Sequence, residues 1–236
     1  MKEDLTINNC INHYLSFESG KSCPDSIRDS SQDLLLYAPN FIEEIYEITV
    51  IDYIKELIPD GEVFIDVGSH IGFYTVGLSR NFKKIFSFEP SPFQNQYLER
   101  NVLVNNLHNV SISNNAVSNA TDKNVDLFIM GRSGGTNTIE VSCANDAMSK
   151  TTVRTISLDS CLFEDLSFLK IDVEGHEIEV LKGAINTIKL HKPIILCEVW
   201  DNTEARMEFS KVMESMDYEY KFLFKHFPEL AICQSF

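Results

Sequence analysis

Four short stretches of this sequence, each with an acid and two with glycines, have spacings that suit chemistry on a nucleoside-bearing ligand. The first is Asp66-Val67-Gly68-Ser69-His70-Ile71-Gly72, with two glycines four apart. Glycine lets the backbone pass close to a ligand, and free N–H groups at the start of a following helix receive a carboxylate or phosphate. The second is Glu89, at the end of KIFSFE, about twenty residues beyond that loop. An acid so placed accepts both hydroxyls of a ribose. The third and fourth are Lys170-Ile171-Asp172-Val173-Glu174-Gly175-His176-Glu177 and Cys197-Glu198-Val199-Trp200, the densest polar clusters in the chain. Asp172, His176 and Glu198 are candidates to take a proton from a hydroxyl nucleophile, histidine because its ordinary pKa lies near neutrality.

Each group also has a plainer reading. A Gly-x-x-x-Gly loop serves helix–strand packing, Asp66 can orient its own loop, and Glu177 suits a helix N-terminus, where negative charge is favoured. Asn115-Ala116, which can meet an adenine, also suits an ordinary turn. Asp172, His176 and Glu198 have the chemistry of divalent-ion ligands, but no compact ligand motif supports a metal, and none is assigned. The loop lacks the third glycine of a dinucleotide fingerprint, which disfavours a nicotinamide-dependent oxidoreductase.

For these residues to meet, they must lie at the carboxyl ends of parallel strands, and the apolar patterning supplies such strands. VFIDV (63–67), KIFSFE (84–89), NVSIS (109–113), FLKID (168–172) and IILCEV (194–199) read as buried strands, and helices are expected over 72–82, from Pro92 toward Asn106, and over 177–188 and 203–216. Ser91-Pro92 followed by Gln94 has the form of a capping box with proline at the first helical position. The rhythm breaks over 117–157, read as a strand, a Gly-rich loop and a strand; 218–224 and 230–233 are expected to pair as a terminal hairpin. The fold class expected is α/β, a doubly wound, mostly parallel Rossmann-like sheet with a β insertion. Residues 1–60 form an N-terminal extension ending in an amphipathic helix (Phe41 to Ile58), and 61–236 the main domain.

The 236 residues are 44% hydrophobic, enough for a substantial core, and carry 35 acids against 20 Lys and Arg, a net charge of −15. That field repels phosphate polymers, so a nucleic-acid partner is not expected. Residues 1–60 hold about half of the excess. No signal peptide or membrane-length apolar run is present, and the six cysteines form no CxxC pair, so reduced thiols and a cytoplasmic location are expected.

VFIDVGSHIGFYT, FSFEPSP, NNAVS and, above all, FLKIDVEGHEIEVLKGA followed by IILCEVW resemble the FkbM-type methyltransferases over about residues 60–200. The resemblance implies a class I methyltransferase fold and S-adenosyl-L-methionine as cofactor, with methylation of a hydroxyl oxygen on a sugar, glycan or secondary metabolite. It implies Asp66, Gly68, Ser69, His70 and Gly72 around the methionine portion, Glu89 on the ribose, Asn115 and Ala116 near the adenine, and Asp172 beside the transferred methyl. The alternative is a nucleoside-binding regulator that kept the fold and lost the chemistry. Acceptor specificity is expected in residues 1–60, around Gly131–Asn137 and in the loop after Trp200, with Trp200, Phe73 and Tyr74 as possible stacking surfaces for a sugar ring.

Overall fold

A computed structural model describes residues 45–130, 136–145, 147–223 and 229–235, and the short segments 26–29 and 34–37, these two and 45–49 as backbone only. Strands β1 (Ser26–Asp29) and β2 (Leu34–Tyr37) pair antiparallel and precede α1 (Ile45–Leu57). The main domain then alternates: β3 (Gly61–Val67), α2 (Phe73–Gly77), β4 (Phe82–Phe88), α3 (Pro92–Val104) and β5 (Val110–Ser113). The insertion contributes β6 (Ala116–Val117), β7 (Asn124–Ile129) and β8 (Ser149–Ile156). Alternation resumes with β9 (Leu166–Ile171), α4 (Glu177–Lys182), α5 (Ile185–His191), β10 (Ile194–Glu198) and α6 (Thr203–Ser215), and closes with β11 (Tyr218–Phe222) and β12 (Leu230–Ser235).

Seven strands form one sheet in the order β11-β12-β10-β9-β3-β4-β5, parallel except for β12, which runs antiparallel to both neighbours. The chain winds outward from β3 to β5, then returns to lay β9 on the other side of β3. The crevice of a doubly wound sheet opens at that reversal, beyond the carboxyl ends of β3, β4 and β9. Each face is buried, which is why the strands read as continuous apolar runs. Phe64, Phe168, Leu196 and Ile232 pack on one face with Val50, Ile51 and Ile54 of α1, and Ile65, Leu169, Ile195 and Cys197 on the other with Val180, Ile188, Phe209 and Met213. Each fully buried side chain of this size is worth about 1.5–3 kcal/mol. The helix that ends the expected extension is therefore part of the main core. Residues 1–25, 30–33 and 38–44 of that extension lie outside the described residues.

Three local expectations are modified. The helix expected over 72–82 is limited to Phe73–Gly77, and turns lead from it into β4. At α3 the Ser91 hydroxyl bonds the Gln94 side chain and makes no bond to the helix backbone, so proline and not a capping box marks the start. The helix expected over 177–188 is two helices. Gly183 lies where an added Cβ would come within 2.1 Å of the Ser118 carbonyl oxygen, and the carboxylate of Asp159 accepts the Asn186 and Thr187 N–H groups that open α5. By contrast, the Asn202 side chain caps α6 by accepting the Ala205 N–H at 2.8 Å.

In the insertion, β7 pairs antiparallel with β8, and β8 runs parallel to β6. Residues 131–135 of the Gly-rich loop lie outside the described residues. No helix among the described residues is long and apolar enough to cross a membrane. Cys143, Cys161, Cys197 and Cys233 are free thiols, while Cys10 and Cys23 lie outside the described residues.

Candidate active site

The loop after β3 is shaped by its backbone. Gly68 has φ 76°, and a Cβ there would fall 1.7 Å from the Asp172 carbonyl oxygen, so β3 and β9 deliver their ends into direct backbone contact. Gly68→Ala is expected to cost on the order of 3 kcal/mol or more, read as a lower melting temperature, because a left-handed backbone and a close approach fail together. The Gly68 and Ser69 N–H groups both bond the Phe88 carbonyl, at 3.0 and 3.1 Å, and the Ser69 hydroxyl donates to the Asp66 carbonyl at 2.8 Å. These bonds hold the loop against the end of β4. His70 has φ 52° and Glu174 φ 55°, two non-glycine residues in left-handed backbone on the two loops that face each other. Such strain persists only where the surroundings over-determine it.

Glu89 follows β4, and both of its carboxylate oxygens are engaged. Oε2 accepts the His70 N–H at 2.9 Å and Oε1 the Ser91 N–H at 2.8 Å, so one acid joins the Gly loop to the start of α3. Burial pushes Glu89 up to about 7, against the opposing pull of these two N–H groups and of Lys170.

Asp66 is fully buried at the end of β3. Its Oδ2 accepts the Thr75 hydroxyl at 2.6 Å, while Oδ1 has no hydrogen-bond partner among the described residues and lies 3.7 Å from Lys170 Nζ. Burial raises its pKa, with Lys170 opposing. Lys170 is the residue whose role sequence reasoning missed. It is the register partner of Asp66 on β9, is 5% exposed, donates to the Gly68 carbonyl at 2.9 Å and reaches Asp172 Oδ2 at 3.1 Å. The signal was present: a lysine inside an otherwise apolar strand is buried only when paired, and acids end both strands beside it.

Asp172, Glu174 and Glu198 place a carboxylate oxygen each within 4.8 Å of one another. Glu174 thus takes the place that sequence reasoning gave His176 beside Asp172 and Glu198. For Asp172, burial is outweighed by Lys170 and by a hydrogen bond with Glu198, and its pKa is lowered. Glu198 is pushed up to about 11, first by the charge of Asp172 and then by burial. The two groups are therefore driven in opposite directions, Asp172 toward the ionised form and Glu198 toward the protonated one. Burial and the Asp172 charge push Glu174 up to about 8. Glu177 accepts the Val173 and Gly175 N–H groups at 3.2 and 3.0 Å and holds the turn beneath the cluster.

His176 is buried and has both ring nitrogens engaged, Nδ1 with the Glu140 carboxylate and Nε2 with the Ser118 hydroxyl at 2.9 Å. The Asn115 carboxamide accepts from the Ser113 hydroxyl at 3.1 Å and donates to the Arg154 carbonyl at 3.3 Å, while Ala116 packs in the small core of the insertion. Of the expected stacking surfaces, Phe73 and Tyr74 are core residues. Trp200 is half-buried, its ring 3.4 Å from where a Cβ on Gly175 would sit.

This strand order, with a Gly loop, an acid after the second strand and polar groups at the reversal, defines a class I Rossmann-like methyltransferase fold. Solved structures share it: an FkbM methyltransferase from Methylobacillus flagellatus KT (TM-score 0.55, 19% identity, covering 74% of this chain and 44% of that one) and a putative methyltransferase from Streptococcus mutans in complex with SAH (0.51, 12%, 83% and 100%). Trm5b from Pyrococcus abyssi is a third (0.53, 14%, 92% and 58%). The chain spans less than half the length of the Methylobacillus protein. No curated protein matches the sequence. The Methyltransferase FkbM domain matches residues 66–224, and the chain belongs to that family.

Proposed function

We propose that the protein transfers a methyl group from S-adenosyl-L-methionine to a hydroxyl oxygen of a sugar, glycan or secondary metabolite. The observation that carries this reading is Glu89, a buried carboxylate at the switch point tied by backbone N–H groups to both the Gly loop and the start of α3. The donor fits the residues present. Asp66 Oδ1 is a buried acceptor without a hydrogen-bond partner, suited to the donor's ammonium group, and Glu89 suits the ribose. The backbone of Asn115 and Ala116 is left for the adenine, since the Asn115 carboxamide is already engaged.

The donor, when bound, supplies an electrophilic methyl on a sulfonium that leaves readily. The chain must therefore align a nucleophile and accept its proton. In this reading Asp172 is the base, its ionised form favoured by Lys170, while the charge of Asp172 favours the protonated form of Glu198. His176, with neither nitrogen open, passes from candidate base to a structural partner of the insertion. The acidic cluster and the net charge of −15 favour neutral or cationic acceptors over phosphorylated ones. The test is to incubate the protein with S-adenosylmethionine and matched sugars with and without phosphate. Formation of S-adenosylhomocysteine with the neutral sugar is expected, and a preference for the phosphorylated partner would overturn the acceptor assignment.

The ionisation of Glu89 also sets a pH dependence. Two ribose hydroxyls need two acceptors, which the ionised carboxylate supplies. Because its pKa stands near 7 in the free protein, donor binding to the ionised form releases a proton below that value. Affinity for S-adenosylhomocysteine is expected to tighten by about tenfold per pH unit below about pH 7 and to level off above about pH 8. Calorimetry across that range checks it, and Glu89→Gln should flatten the curve.

A further inference from the structure

We propose that His176, together with Thr138, is a positioning residue that fastens residues 137–140 as a strap over the donor crevice and so sets how fast the donor and its product exchange. This rests on the S-adenosylmethionine reading above. The strap has anchors on both flanks. On the α3 side, the Asn137 amide donates to Gln94 at 3.3 Å, three residues beyond the Ser91 whose N–H holds Glu89. On the β9 side, the Thr138 hydroxyl donates to the Glu174 carbonyl at 2.8 Å, and Glu140 bonds His176 Nδ1. The far nitrogen of the ring is fixed by Ser118 at 2.9 Å.

Because β4 and β9 lie on either side of β3, these two anchors stand on opposite sides of the switch point. Asn137 and Thr138 are adjacent in the chain, so their side chains reach the two flanks from one point, and the chain then bends at Ile139 toward Glu140. The strap thus joins the start of α3, beside the ribose acid, to the loop that carries Glu174 of the carboxylate cluster, and so crosses the crevice that the donor occupies in this reading. Thr138 also receives the Glu140 N–H at 3.0 Å and pairs with Phe128 of β7, which stiffens the segment. The His176 contacts are with the insertion and with Ser118, at the end of β6. Asp172 and the turn after it are held independently by Lys170 and Glu177, so loosening the strap leaves the cluster in place.

The chain has one tryptophan, and Trp200 lies against Gly175 at the edge of the same loop, so its fluorescence reports binding there. The experiment is stopped-flow mixing with S-adenosylhomocysteine. In His176→Ala, both the association and dissociation rate constants are expected to rise about tenfold, with Kd within about threefold of the parent, as for an opened lid. His176→Gln, whose amide can still bridge Glu140 and Ser118, should return most of the slow exchange. Glu140→Ala cuts the same anchor from the half-exposed side and carries the test should His176→Ala not fold. A merely structural role would lower the melting temperature and weaken Kd without speeding association. Rate constants in Glu140→Ala and His176→Ala equal to the parent's, or slower association, would overturn the strap. Failure of the unmodified protein to bind S-adenosylhomocysteine would instead overturn the donor reading.

Discussion

Glu89→Ala is expected to weaken binding of S-adenosylmethionine at least about 100-fold at a pH where Glu89 is ionised. A carboxylate holding two hydroxyls contributes about 1.5–3 kcal/mol per bond, and the smaller figure taken twice already gives that factor. The same substitution strands the N–H groups of His70 and Ser91, which both end on Glu89. A stability loss of about 1–3 kcal/mol for each unsatisfied donor should accompany the binding defect unless water enters the vacated space. Glu89→Gln separates the two effects, since its amide oxygen keeps one backbone bond and the volume is unchanged. Calorimetry gives the affinity and urea denaturation the stability. An affinity for Glu89→Gln equal to the parent's would remove Glu89 from the ribose.

The strands that position this site are legible in the sequence because both faces of the sheet are covered. A run such as VFIDV has no polar face to confuse with a helix, and the acids that end the runs mark their carboxyl ends. Local features that depend on distant partners are not legible. The break after α4 is made by Asp159, 27 residues before the Asn186 it caps, and by the approach of Gly183 to the Ser118 backbone. His176 shows the same limit within the site. Its residue type and its place after Asp172 suit a base, yet its orientation is decided by Glu140, which the insertion delivers from 36 residues away. Lys170 is the converse case, since both of its acidic partners stand at strand ends visible in the sequence. What hid it is that a lysine beside a motif reads as a solvated flank until the register pairs it with Asp66.

Asp172→Asn is expected to reduce turnover by a factor on the order of 10²–10⁴, the usual contribution of a positioned base. Affinity for S-adenosylhomocysteine should stay within about fivefold, because Asp66 and Glu89 hold the donor in the proposed reading. The size of the loss depends on Glu198. Its pKa is pushed up to about 11 chiefly by the charge of Asp172, so removing that charge lowers it and brings an ionised Glu198 carboxylate toward neutral pH. Residual activity in Asp172→Asn should therefore rise with pH and should be lost when Glu198→Gln is added. Glu198→Gln alone, which keeps a hydrogen-bond donor toward Asp172, should cost about tenfold or less. The pH–rate profiles of the three variants, with an acceptor that the parent methylates, distinguish this from a spectator Asp172. Normal turnover in Asp172→Asn would show that alignment suffices and that the proton leaves by another route.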